Sequence, residues 1–220
     1  MFEYNQRMGI NSFEIRLCQN CGLRYPLTEE HPFGDRCPIC LGTTLRVLSR
    51  QSAREPIPSV KKTGFNLEAL LDNIRSIWNV GSIFRTSDGL GISKLYLCGI
   101  TPTPENEVMH KTSLGAEETV TWEYSRNALD TAKKLKIDGR FLIAMEQDER
   151  AESIESFHAL SEKKVTLILG NEVTGVDPEL LDLCDHILYL PMHGQKRSLN
   201  VEVAFAIAAY TIRSHLGEEK

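Results

Sequence analysis

The sequence predicts an α/β domain built on a mostly parallel sheet, preceded by a small module held together by four cysteines. Three observations carry this. From about residue 64, short apolar runs alternate with stretches of helical periodicity. Ahead of them lie two C-x2-C pairs. Between the two regions runs "SRQSAREPIPSVKKTG", polar, basic and broken by two prolines. With 220 residues, 41% of them hydrophobic, the chain is long enough for one full domain and a small companion. The boundaries expected are 1–48 for the module, 49–63 for a linker and 64–220 for the domain.

Cys18, Cys21, Cys37 and Cys40 form two close pairs separated by fifteen residues. That spacing presents four thiolates tetrahedrally to one zinc ion. Glycine follows at or near each pair, in "CQNCG" and "CPICLG", where the backbone must turn tightly beneath a metal. Two disulfides are the alternative, which a cytosolic setting disfavours. Four thiolates leave no open coordination position, so the expected zinc is structural. A stretch of roughly 45 residues buries little apolar surface, and metal binding supplies the missing folding energy. The module is similar to zinc ribbons of the rubredoxin-like kind. Cys98 and Cys184 sit alone in apolar surroundings and read as buried small hydrophobes.

Charge separates the same two regions. Residues 1–62 hold nine Lys/Arg and six Asp/Glu, a balance of +3, whereas residues 63–220 stand at −8. The net charge of −5 does not exclude RNA, because local patches set the field a ligand meets. Arg46, Arg50, Arg54, Lys61 and Lys62, in or beside the linker, are candidates for a phosphate backbone. No apolar run approaches the roughly 20 residues that span a bilayer. The first ten residues, "MFEYNQRMGI", lack a basic start and apolar stretch. A cytoplasmic protein with no membrane contact is the expectation.

In the domain, 93–100, 140–145, 164–170 and 186–191 are short, apolar and bounded by turn residues, which predicts buried strands. Helical patterns lie near 79–90, 105–114, 125–136 and 177–184, with a long, fully buried one near 200–215. "NLEALLDNI" (66–74) stays open: Leu67, Leu70, Leu71 and Ile74 fit helical spacing, yet a strand is needed there for the fold below. There is no G-x-G-x-x-G, G-x-x-x-x-G-K-[ST] or G-x-S-x-G, which argues against a Rossmann-type nucleotide loop, an NTPase and a serine hydrolase. His193, a lone loop histidine, carries little weight.

Three stretches remain. In "DNIRSIWNVGSIFRTSDGLGI" (72–92), Asn79 and Gly81 stand where a helix is expected to begin, with Asn79 as its cap. Helical spacing puts 79, 82 and 85–86 on one face, aiming Arg85 toward the same cleft as Asn79. "LILGNEVTGVD" (167–177) ends a strand with Gly170, Asn171 and Glu172. "LPMHGQKRSLNVEVAFAIAAY" (190–210) also ends a strand, then crosses a basic loop into a helix. Polar loops beyond the carboxyl ends of parallel strands are where α/β proteins build sites.

In order, these stretches resemble the three signature motifs of the SpoU/TrmH family of SPOUT methyltransferases: N-x-G-x-x-x-R-T, G-x-E-x-x-G and S-L-N-V-S-V-A. "HKTSLGAEETVTW" (110–122) is similar too. The resemblance implies a trefoil-knotted sheet, S-adenosylmethionine as methyl donor, a homodimer, and methyl transfer to a ribose 2′-hydroxyl of tRNA or rRNA. By the same resemblance, Arg85, Asn79, Glu172 and Asn200 are the catalytic group. Ala144, Met145, Gly170, Leu190, Met192, Ser198 and Leu199 are the donor-binding group. Arginine stays protonated, so Arg85 is expected to anchor a phosphate and steady a developing alkoxide rather than take a proton. For Glu172, pairing with a backbone N–H or an arginine stands beside a direct role. Lys196 and Arg197 are placed to meet RNA phosphates. A non-catalytic RNA-binding scaffold and a base-directed methyltransferase are the competing readings. The chain departs from the family at Ile77, where proline is usual, and at Glu202, where a small serine is usual.

Overall fold

The computed structural model describes residues 12–28, 35–51, 65–157 and 164–216. The chain divides into two compact units, Met1–Lys61 and Lys62–Lys220.

In the first unit, β1 (Ser12–Cys18), β2 (Arg24–Thr28) and β3 (Thr44–Gln51) form an antiparallel sheet in the order β2-β1-β3. Strand β3 runs to Gln51, three residues into the segment expected to be linker. The rest of that segment lies outside the described residues. Each cysteine pair sits in a tight turn, closed by Gly22 N–H donating to Cys18 O (3.1 Å) and Leu41 N–H donating to Cys37 O (2.9 Å). Gly22 takes the left-handed conformation expected of it (φ 73°), but in the second turn Leu41, not Gly42, does so (φ 57°). A Cβ at Gly42 would lie 2.8 Å from the exposed Asn20 side chain, which would have to turn aside.

The second unit is a seven-stranded sheet. Its strands are β4 (Asn66–Asp72), β5 (Lys94–Cys98), β6 (Thr121–Ser125), β7 (Phe141–Met145), β8 (Glu152–Ser153), β9 (Lys164–Leu169) and β10 (His186–Tyr189). The order is β6-β5-β4-β9-β7-β10-β8, with every pairing parallel. The ambiguous stretch 66–74 is therefore mostly strand. Its leucines look helical because β4 is central and buried on both faces, so its run is nearly continuously apolar.

Helices cover both faces. On one side, α1 (Ile77–Leu90) and α5 (Val201–Leu216) pack Val80, Ile83, Phe84, Phe205, Ala208 and Ile212 against Leu67, Ala69, Leu71, Ile143 and Leu167. On the other, α3 (Ala128–Ile137) and α4 (Pro178–Leu181) cover Leu70, Cys98, Leu142, Ala144 and Ile168. The strand residues divide by the period-two rule. Region 105–114 forms a 3-10 turn, Glu107–Met109, and a single α-turn, α2 (His110–Ser113), rather than one helix. Helix α4 is likewise shorter than expected. Cys98 is buried as expected; Cys184 is half-buried, its thiol donating to Leu180 O at 3.3 Å.

Three local features set the geometry of the sheet edge. The cap of α1 is Ser76, not Asn79: its side chain accepts from Asn79 N–H at 3.3 Å, one turn earlier than expected. Gly81 lets α1 lie against α2, since a Cβ there would come 2.0 Å from Thr112 Oγ1. Helix α5 is not buried all round, as its opposite face exposes Val203, Ile207 and Tyr210. At the amino-terminal ends of the strands, Arg140 is buried with Glu68 (3.1 Å) and donates to Thr166 Oγ1 (2.7 Å) and Val165 O (2.6 Å). Tyr96 O–H donates to the same Glu68 at 3.0 Å.

Candidate active site

The carboxyl ends of β7, β9 and β10 open into a cleft of about 490 Å³. Its walls include Met145, Gly170, Leu190, Met192, Ser198 and Leu199, six of the seven residues expected to bind a donor. The seventh, Ala144, is fully buried in the layer beneath α3 and does not line the cleft. Strand alternation explains this: in β7 the odd and even side chains face opposite sides, so Met145 reaches the cleft and its neighbour does not.

Gly170 is required by packing. A Cβ there would lie 2.2 Å from the backbone of Gly175 and Val176, because the loop after β9 folds back on the strand end. Glu146, which the sequence reading missed, ties that loop down. Its two oxygens accept from Gln147 N–H (2.8 Å) and Val176 N–H (2.9 Å). A carboxylate one residue past a predicted strand end was the available signal. Gln147 in turn donates to Arg197 O, tethering the basic loop to β7. Lys196 and Arg197 are exposed on that loop.

Glu172 spans from this loop to α1. Its carboxylate accepts from Arg75 N–H (2.9 Å), Ser76 N–H (3.1 Å) and Asn79 Nδ2 (3.0 Å). Partial burial pushes its pKa up, but the backbone donors outweigh that and the net shift is downward. Of the two roles open at the sequence level, the geometry matches pairing with backbone N–H. Asn79 Oδ1 accepts from Asn200 Nδ2 at 3.0 Å, and Asn200 Oδ1 caps α5 by accepting from Glu202 N–H at 2.8 Å. One chain of hydrogen bonds thus joins the three motif stretches: Glu172 to Asn79 to Asn200.

Arg85 does not share this cleft. It lines a neighbouring recess of about 520 Å³ with Ser82, Thr86, Lys111, Thr112, Leu114 and Glu202. The helical face shared by positions 79, 82 and 85–86 exists, but the first turn of α5 divides it. Asn79 meets Asn200 on one side, and Glu202 accepts from Thr86 Oγ1 (3.2 Å) on the other. Among the described residues Arg85 makes no hydrogen bond or ion pair. A larger, shallow depression of about 940 Å³ beside Ile100, Trp122 and Tyr124 holds none of the expected site residues.

In the small unit the four cysteine Sγ atoms all lie within 4.8 Å of one another. Two of the separations are 3.4 Å (Cys18 to Cys40) and 3.6 Å (Cys21 to Cys37). Tetrahedral zinc with Zn–S of about 2.3 Å requires S···S of about 3.8 Å, so the donor set fits that metal. The backbone N–H of Cys21 points at Cys18 Sγ (3.5 Å) and draws that thiol down to about 6.

The doubly covered parallel sheet with its cleft beyond the strand ends is the SPOUT methyltransferase fold. The profile of the SpoU rRNA Methylase family matches residues 66–210, and the chain belongs to that family. A Staphylococcus aureus (strain MSSA476) protein, assigned by name to the TrmH family tRNA/rRNA methyltransferases, is 28% identical over 161 residues. That match takes in 72% of this chain but 64% of the relative, so the chain spans somewhat less than two thirds of its length. An Aquifex aeolicus protein named tRNA (guanosine(18)-2′-O)-methyltransferase is 28% identical over 151 residues, 69% of this chain and 70% of that one. The crystal structure of the A. aeolicus TrmH/SpoU tRNA modifying enzyme superposes with a TM-score of 0.61 at 26% identity, covering 68% of this chain and 75% of its own.

Proposed function

We propose that this protein transfers the methyl group of S-adenosylmethionine to a ribose 2′-hydroxyl of tRNA or rRNA. One observation carries the reading: the three motif stretches meet at one sheet edge, joined by the hydrogen bonds from Glu172 through Asn79 to Asn200. The activities named for the S. aureus and A. aeolicus relatives point the same way. The cleft suits the donor in size, since pockets for molecules of this class run from about 300 to 1,000 Å³. Met145, Leu190, Met192 and Leu199 offer apolar walls, and Gly170 and Ser198 offer polar backbone.

When bound, the donor supplies a sulfonium methyl that is already electrophilic. The residues of the chain must then orient a poorly acidic hydroxyl and remove its proton. The unpaired guanidinium of Arg85 anchors the neighbouring phosphate and steadies negative charge developing on oxygen. Asn79, Glu172 and Asn200 hold the two helix starts that frame the cleft and the recess.

The knot is part of the same reading. Its support is that β9 lies between β4 and β7, two strands that precede it in sequence. For a homodimer, the support is the apolar face of α5 with Val203, Ile207 and Tyr210 exposed. Zinc in the cysteine cluster and a role for the small unit in gripping RNA complete the proposal, with the cytoplasm as site of action. Among the described residues no helix is long and apolar enough to cross a membrane.

The test is to map 2′-O-methyl marks in total RNA from cells with and without the protein, then repeat it with Arg85→Ala. Loss of a specific mark in both, with donor binding by calorimetry retained in the variant, is expected. Unchanged turnover in Arg85→Ala refutes the assignment.

A further inference from the structure

Trp78, in the first turn of α1, is 51% exposed, although tryptophan is on average a highly buried residue. Among the described residues its indole makes no hydrogen bond and no ring contact. At about 100° per residue, Trp78, Ser82 and Arg85 fall on one stripe of α1, Arg85 returning to within about 20° of Trp78 after seven residues. Both flanks of that stripe are occupied. On one, Gly81 meets Thr112 of α2; on the other, Asn79 meets Asn200, the cap of α5, and Thr86 meets Glu202 in its first turn. Helix α5 thus packs on the flank of Asn79 and Thr86, and Trp78 and Arg85 both stay exposed beside it. Along the axis the two are about 10 Å apart at 1.5 Å per residue, comparable to a nucleotide measured from phosphate to base edge.

Charge fits the same occupant. Arg75, three residues before Trp78, Arg85 beyond it and Lys111 on α2 are all exposed. Among the described residues their side chains have no ion pair or hydrogen bond. The carboxylates on the flanking elements are engaged: Glu172 by two backbone N–H groups and Asn79, Glu202 by Thr86. Three free cations thus surround one bare indole, in a region whose overall balance is −8. Surfaces that hold single-stranded nucleic acid have this composition, cations following the phosphates and rings taking the bases. A second copy docked on the same stripe would set these cations against themselves.

We propose that Trp78 stacks on a base of the bound RNA, in the strand whose phosphate Arg85 holds. The proposal rests on the RNA reading above and adds a base contact to it. Trp78 is a substrate-binding residue and takes no part in the transfer step. A ring stacks only on a base that is out of the duplex, so the RNA is unpaired at this contact. Stacking of this kind tolerates any base and contributes about 5- to 100-fold in affinity.

The test uses the full-length protein, Trp78→Ala and Trp78→Phe, with a single-stranded oligoadenylate as probe. Filter binding is expected to show Trp78→Ala about 5- to 100-fold weaker and Trp78→Phe within threefold of wild type. Saturating probe is expected to quench the tryptophan emission of wild type but not that of Trp78→Phe, in which Trp122 alone remains. Trp78→Ala is expected to keep the wild-type Tm, sedimentation coefficient and calorimetric affinity for S-adenosylmethionine. With radiolabelled donor and total RNA from cells lacking the protein, its KM for RNA is expected to rise while kcat holds. Failure of the probe to bind wild type, bound probe that leaves the emission unquenched, or Trp78→Ala within twofold of wild-type affinity overturns the proposal. A changed sedimentation coefficient in Trp78→Ala assigns the indole to a second copy and overturns it as well. Wild-type protein that transfers no label to RNA sinks the underlying reading. Label transfer with an indifferent Trp78→Ala sinks this proposal alone.

Discussion

Replacing Glu172 with glutamine takes the charge off an acceptor that serves three donors: two backbone N–H groups at the start of α1 and the side chain of Asn79. Glutamine keeps one carbonyl oxygen, and its NH2 must face at least one of those donors. Hydrogen bonds to a charged group contribute about 1.5–3 kcal/mol each when well enclosed. Glu172 is exposed, so solvent reduces that, and a total cost of about 1–2 kcal/mol is expected. For a domain of this size this is a fall in Tm of roughly 2–8 °C. Both tryptophans of the chain, Trp78 and Trp122, lie in the larger unit, so their fluorescence reports its unfolding alone. The pH dependence has a defined sign. The folded pKa of Glu172 lies below its ordinary value of 4.5. Its contribution is therefore full above about pH 4.5 and is lost as pH falls through the folded value. Wild type is expected to lose stability across that acid window more steeply than Glu172→Gln, the two curves converging at low pH. A variant with the wild-type Tm at pH 7 and the same acid slope refutes the assignment of Glu172 as the anchor of the α1 start.

Three further outcomes are expected. Arg140→Ala leaves Glu68 buried without its cation and lowers stability by about 3–5 kcal/mol, measured by denaturant titration of tryptophan fluorescence. Donor affinity at the opposite end of the sheet is expected to stay unchanged in that variant. Gly170→Ala pushes a methyl group into the Gly175 and Val176 backbone and is expected to weaken donor binding at least tenfold by calorimetry, through displacement of the loop that walls the cleft. Elemental analysis is expected to find one zinc per chain in wild type and little in Cys40→Ser, and chelation is expected to leave the tryptophan transition in place.

The parallel sheet was readable because its central strands are unbroken apolar runs between turn residues. The clustering of the four cysteines was readable because their spacing is a local property. Edges were harder to read. Strand β6 is largely exposed, and its only signal, Trp122 and Tyr124 alternating with polar residues over Thr121–Ser125, is short and went unused. The cap of α1 was misplaced by three residues because Asn79 and Ser76 are both good caps, and which one caps depends on where Glu172 presents its carboxylate, 93 residues later than Asn79. Arg85 was expected beside Asn79 on helical spacing, and the spacing holds. What divides them is α5, an element from the far end of the chain, and a helical wheel has no knowledge of its neighbours. Ala144 was misplaced by one residue, the smallest error possible in a strand and enough to turn a side chain to the other face.

The position of β9 has a consequence for how the protein comes into being. A ribosome delivers β4 through β8 before the strand that belongs at the middle of their sheet. Until Leu169 has emerged, the facing edges of β4 and β7 cannot be hydrogen-bonded to it, and neither half of the sheet is complete. Pairing across that gap by β4 and β7 themselves would shut out the missing strand. Nascent chains halted shortly before residue 164 should therefore be more protease-sensitive and more prone to self-association than chains halted past the last helix.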